Sequence, residues 1–156
     1  MTRYAENTSV TSEASRSEIE RTISRYGATS FAYGWENDRA VIGFRIDDRQ
    51  VRFVLPMPNR NDREFTHTPT RGTPRTPSAA ATEYDKAVRQ RWRALALVVK
   101  AKLEAVEAGI VTFDEEFLAH IVLPGGQTVH DTVMPQVARA LETGVAPGML
   151  QIGAEP

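Results

Sequence analysis

Cysteine is absent from the 156 residues. That excludes disulfides and thiolate metal sites and fits a reducing compartment. Long apolar runs are missing as well, and none approaches the roughly 20 residues that cross a bilayer. The opening stretch, MTRYAENTSVTSEASRSE, has no apolar centre and does not read as a signal peptide, so a cytoplasmic location is expected. Histidine is scarce. His67, His120 and His130 have no HxH or HxxxH companion. Glu116 and His120 would share a helix face, but a third and a fourth ligand are missing, so neither metal nor other cofactor is expected.

Catalytic signatures are lacking too. No serine elbow, phosphate-binding loop or dinucleotide glycine pattern occurs. Asp114, Glu115 and Glu116 read as first-turn acids of a helix, which the macrodipole favours without any catalytic role. A non-enzymatic protein is therefore expected.

What is present begins with charge placement. The net charge of −1 hides a division: residues 60–103 hold ten basic against four acidic groups, residues 104–156 one basic against eight, and residues 1–59 balance. A basic middle suits a polyanion, and an acidic end suits either a partner or a neutraliser within the fold.

Along the chain, residues 1–15 are polar and read as a disordered tail. Ser17-Glu18-Ile19-Glu20 resembles a capping box, Ile19, Ile23 and Tyr26 a helical stripe, and Gly27 its cap. Three strands are predicted over 30–35, 40–46 and 50–55, with turns at Glu36-Asn37-Asp38 and Asp47-Asp48. One face holds Ala40, Ile42, Phe44 and Ile46, and Val51, Phe53 and Leu55. The other holds Ala32, Gly34, Val41, Gly43, Arg45, Arg52 and Val54. It is small and weakly apolar, and it would let a nucleic-acid backbone approach closely. Phe31, Tyr33 and Trp35 alternate on the first strand. They suit either a core face under a helix or a stacking platform for bases.

Residues 57–80, rich in Pro, Thr and Arg, read as a mobile basic loop. The stretch from Glu83 to Ala108 has neither Gly nor Pro and reads as one amphipathic helix of about seven turns. Tyr84, Val88, Trp92, Leu95, Val99, Leu103 and Val106 form its apolar arc. Ala87, Ala94, Ala101 and Ala105 are taken as a small-residue strip beside the arc, and Lys86, Arg89, Arg93 and Lys100 as a basic stripe facing solvent. Arg91 and Lys102 fall between the apolar arc and the alanine strip and need either a carboxylate or a bound phosphate. Leu118–Leu123 reads as a strand, and Asp131 as the N-cap of a last helix ending at Gly144. Residues 145–156 read as an irregular tail.

The segments RYGATSFAYGW at 25–35, RQRWRALALVVKAKLEAVEAGI at 89–110 and EEFLAHIVLPGGQTV at 115–129 resemble an uncharacterised family of small proteins of tailed phages and prophages. The resemblance spans residues 16–144. It implies a phage or prophage source, hence the host cytoplasm, and supplies no catalytic residues. In topology, a meander followed by one long helix is similar to the single-strand annealing proteins of the Redβ and RecT type. Those hold DNA in a basic groove and oligomerise.

The expected class is α+β, a single domain over 16–144 with a three-stranded antiparallel meander packed on one long helix. The expected function is non-enzymatic binding of single-stranded DNA, assisting annealing or replication, by a homo-oligomer that does not engage membranes. The phosphate contacts expected are Arg45, Arg52, Arg63, Arg71, Arg75, Arg89, Arg91, Arg93, Lys100 and Lys102. The alternative is a protein-interaction module or oligomeric accessory protein that binds no nucleic acid.

Overall fold

The computed structural model describes residues 8–147 apart from Asn37. The first seven and last nine residues of the two expected tails, and the centre of the Glu36-Asn37-Asp38 turn, lie outside the described residues. In chain order come α1 (Ser12–Arg25), β1 (Ala28–Glu36), β2 (Arg39–Ile46), β3 (Arg49–Pro56), α2 (Arg63–Thr66), α3 (Pro77–Glu107), α4 (Phe113–Phe117) and α5 (Val129–Thr143). The fold is α+β, as its alternation and helical stripes require. No described helix is long and apolar enough to cross a membrane.

The sheet is an antiparallel meander in the order β1-β2-β3. Period-two alternation sorts its residues cleanly. Ala40, Ile42 and Phe44 of β2 and Val51 and Phe53 of β3 are buried on the inner face. Against them pack Ile19 and Ile23 of α1, and Trp92, Leu95, Ala96, Val99 and Leu103 of α3. Asp47 takes a left-handed φ of 52° in the β2–β3 turn, a conformation that a short polar side chain tolerates.

Helix α1 starts at Ser12, five residues ahead of the expected capping box. Thr11 is the cap: its Oγ1 accepts from the Ala14 N–H at 3.1 Å. Ser17 lies inside the helix, and Glu18 pairs with Arg93. Arg16 lies over Trp92 and the Tyr26 hydroxyl donates to Glu104, so residue numbers rise together and α1 runs parallel to α3. Burial, then hydrogen bonds to Glu107 and Glu104, push the Tyr26 phenol up to about 12.

This packing corrects the faces expected of α3. Its flank bearing Arg93 and Glu104 meets α1 and is not free. At about 100° per residue, Ala94 and Ala101 point away from Val99, and both are exposed. The buried alanine of the helix is instead Ala96, within the core.

Helix α3 also begins six residues earlier than expected, at Pro77. Thr76 Oγ1 accepts from the Ala79 N–H at 3.2 Å, and proline at N1 loses no helical bond because that N–H has no acceptor. The preceding segment, expected as a mobile loop, contains the one-turn α2 and a tight turn closed by a bridge between His67 and Pro74. Phe65 is buried and stands edge-on to Tyr84 at 5.7 Å.

Leu118–His120 is a 3-10 turn continuing α4, not the start of a strand. Phe113, Phe117 and His120 recur at helical spacing. Phe117 is buried against Phe44 and Phe53, at 6.1 and 6.3 Å, which selects helix over strand. Extended pairing is confined to Ile121 and Val122, which bridge to Val51 and Thr128. The N-cap of α5 is Thr128, with Asp131 as the reciprocal partner at N3, so Pro135 lies inside the helix and leaves the Asp131 carbonyl without its usual donor.

Candidate nucleic-acid interface

The inner face of β2 and β3 is consumed by the core, which leaves the outer face as the broad open surface of the sheet. Register places its rows in order: Ser30, Arg45 and Gln50; Ala32, Gly43 and Arg52; Gly34, Val41 and Val54; Glu36, Arg39 and Pro56. Ala32, Gly34, Arg45 and Val54 are exposed. The surface is a shallow floor of small side chains with arginines rising around it.

The two glycines of that floor are not demanded by the fold. Neither has a positive φ. A Cβ added at Gly34 would meet nothing within 4 Å, and one at Gly43 would sit 3.6 Å from the Val51 carbonyl oxygen, an ordinary contact. Glycine weakens a strand through backbone entropy and lost packing. Its presence at two adjoining positions where a side chain fits favours close approach by something outside the chain.

The Arg45 side chain makes no ion pair or hydrogen bond among the described residues. Arg52 lies 3.9 Å from Asp131, a distance too long for a strong hydrogen bond. The two arginines are diagonal neighbours, about 7–8 Å apart at their Cα atoms. Arg39, not singled out from sequence, joins the same face and pairs with Glu36 at 3.1 Å. Its alternation with Val41, Gly43 and Arg45 was the signal available.

The other expected phosphate contacts are not brought together with these. Arg63 and Arg71 belong to α2 and the turn after it. The Arg75 guanidinium donates to the carbonyls of Glu64 and Phe65, at 2.7 and 3.2 Å, and so holds α2 in place. Arg89, Arg91, Arg93, Lys100 and Lys102 lie on α3, beyond the core from the outer face. Arg93 is taken by Glu18. Lys102, half-buried beside the Phe117 ring, donates to the Glu116 carboxylate at 3.1 Å and to the Glu116 carbonyl at 3.3 Å. Arg91 is exposed and unpaired among the described residues. The pair at the edge of the arc thus splits: one cation ties α3 to α4, and the other is left to solvent.

Tyr33 and Trp35 share the inner face, opposite Ile42 and Ala40, so they offer no stacking platform beside Arg45 and Arg52. Of the two residues considered for a metal, Glu116 is engaged by Lys102. His120 stacks on Phe53 at 4.1 Å, and burial, with the Lys102 charge second, lowers its pKa.

The acidic C-terminal part neutralises the N-terminal third more than the basic middle. Arg49 donates to both oxygens of Asp114, at 2.8 and 3.0 Å. Among the described residues the basic middle meets that part only through Lys102. The hydrogen bond and charge of Arg49 hold Asp114 below its ordinary 3.8. A lowered folded pKa means stability that is fully present above 3.8 and lost as pH falls through the folded value. Asp114→Asn should therefore lower the melting temperature at pH 7, and the gap to the parent chain should close as pH falls below 3.8. A gap that stays constant through that range would contradict it.

Compared with protein-family models, curated proteins and solved structures, the chain has no match.

Proposed function

We propose that the chain binds single-stranded DNA on the outer face of its sheet, as a non-enzymatic accessory of annealing or replication of the phage type. The observation that carries this reading is the floor of Ala32, Gly34 and Gly43, open enough for side chains that are not there, beside two arginines that no strong ion pair holds. A sugar-phosphate backbone could lie directly on such a floor, with Arg45 and Arg52 donating to phosphate oxygens. Without aromatics on that face, contact would go to the backbone and carry little sequence preference.

Gly34→Val combined with Gly43→Val raises the floor while leaving every arginine in place. Melting temperature should hold or rise, because valine suits a strand better than glycine. Fluorescence anisotropy with a labelled single-stranded oligonucleotide at low salt should show affinity falling by about tenfold or more, roughly 1.4 kcal/mol. Single-stranded RNA and duplex DNA run in parallel would establish which nucleic acid is preferred. Unchanged affinity in the folded variant, or no salt-sensitive binding by the parent chain, would remove the proposal.

A protein-interaction role draws support from a different place. Helix α5 has no buried residue, and Met134 and Leu141 are 40% and 77% exposed. That uncovered stripe is where a partner-binding activity would be sought if nucleic acid fails to bind.

A further inference from the structure

The two edges of the sheet are treated differently. The β3 edge is partly closed: the Val122 N–H donates to the Gln50 carbonyl at 2.8 Å, and Ile121 bridges to Val51. It also carries Arg49, Arg52 and Pro56, residues that discourage further pairing. The β1 edge has none of this. Its nine residues, ATSFAYGWE, include no proline and no charge before Glu36. Among the described residues, no backbone group outside the sheet pairs with it. A long uncharged edge presents a row of donors and acceptors that template another strand.

The side chains on this edge point the same way. Tyr33 and Trp35 belong to the inner face, where their register partners Ile42 and Ala40 are fully buried. Yet they are 49% and 58% exposed. Trp92 meets both rings in T-shaped contacts, at 6.3 and 6.4 Å, and still leaves about half of each side chain uncovered. These are core positions that a single copy leaves unfinished.

We propose that β1 pairs antiparallel with β1 of a second copy, joining two meanders into one continuous six-stranded sheet. The strand is self-complementary about a twofold axis, as an isologous interface requires. With the axis at Tyr33, Phe31 faces the partner's Trp35 and the two Tyr33 rings meet. With the axis at Ala32, Phe31 faces the partner's Tyr33. At the centre of either register aromatic meets aromatic on the inner face, the favourable cross-strand pairing, and Ala32 meets Gly34 or its own copy on the outer face. No like charges are brought together by the strand itself. The nearest cation, Arg16, lies 4.8 Å from the Tyr33 ring centre and is paired with Glu13 at 3.4 Å. The joined sheet would also place the two outer-face floors side by side, although the pairing does not depend on what that face binds.

Sedimentation equilibrium of the full chain over a wide concentration range is the test. The expected mass is twice the 17.3 kDa of one copy. Tyr33→Lys with Trp35→Lys should sediment as a single copy, because it removes the facing aromatics and lines the pairing edge with charge. Since Tyr33 and Trp35 also touch Trp92, Ala32→Lys on the other face of the edge provides a second variant, expected to shift the equilibrium toward single copies with an unchanged circular dichroism spectrum. Val137→Asp on α5 should leave the dimer intact. A parent chain of single-copy mass at the highest concentration would overturn the proposal. So would a dimer that survives in the folded β1 variants, or one that Val137→Asp alone dissociates.

Discussion

Trp92→Ala should cost about 3–5 kcal/mol in urea unfolding, the loss typical of truncating a large buried aromatic. That is a large part of the roughly 5–15 kcal/mol that holds a domain of ordinary size. The reason is position as much as size. Trp92 has no exposed surface, and it touches both other layers: Arg16 of α1 lies 5.0 Å from its ring centre, and Tyr33 and Trp35 of β1 meet it in T-shaped contacts. Removing it leaves a cavity at the junction of α1, α3 and β1. Its indole Nε1 is buried without a hydrogen-bond partner, as is the Ser15 hydroxyl. An orphaned buried donor costs about 1–3 kcal/mol. Trp92→Phe should therefore lose much less than the missing ring alone would suggest. A loss below about 1 kcal/mol for Trp92→Ala would contradict this account of the core.

The second large effect is on binding. Arg45→Ala with Arg52→Ala should weaken single-stranded DNA by about 100-fold at low salt, taking about 1.4 kcal/mol for each charged hydrogen bond lost. The dependence on salt should fall with it. Each phosphate no longer neutralised lowers the slope of log affinity against log salt by about 0.7 for a single strand, so the double variant should lose about 1.4. Stability should change little, because Arg45 has no partner among the described residues and Arg52 only a distant one. An equal loss from Arg89→Ala with Lys100→Ala, and none from the sheet variant, would move the interface to α3.

Much of this arrangement was legible before any coordinate. The three strands were placed to within two residues at each end because Ala40, Ile42, Phe44 and Ile46 alternate strictly with Val41, Gly43 and Arg45, and the turns are short. That same parity put Arg45 and Arg52 on one face. The helices were less well delimited, for local reasons. The Thr-Pro-rich run ending at Thr76-Pro77 reads as loop, although a capping threonine followed by proline at N1 is also a helix start. LAHIVL suits a strand by composition, and the helical spacing of Phe113 with the buried Phe117 overrode it. The alanines of α3 misled because alanine is compatible with contact or with solvent. Its spacing cannot say which, and in the fold Ala96 is buried while Ala94 and Ala101 are exposed.

The candidate site was legible in outline and not in its decisive detail. A glycine in a strand can answer to a positive φ, to a crowded neighbour or to an external partner, and sequence cannot separate the three. The backbone of Gly34 and Gly43 excludes the first two. Lys102 and Arg91, equivalent by helical spacing, were separated by the position of α4, which presents Glu116 to one and leaves the other in solvent.

The most direct test is an amide spectrum of the full chain titrated with a single-stranded oligonucleotide. Glycine amides fall in a region of their own, and the chain has ten glycines. The expected result is that Gly34 and Gly43 shift, together with Ala32, Arg45 and Arg52, while Gly109 at the end of α3 and Gly144 at the end of α5 stay in place. Shifts along Arg89–Lys100 with Gly34 and Gly43 unmoved would contradict the account, and so would a spectrum the oligonucleotide does not change.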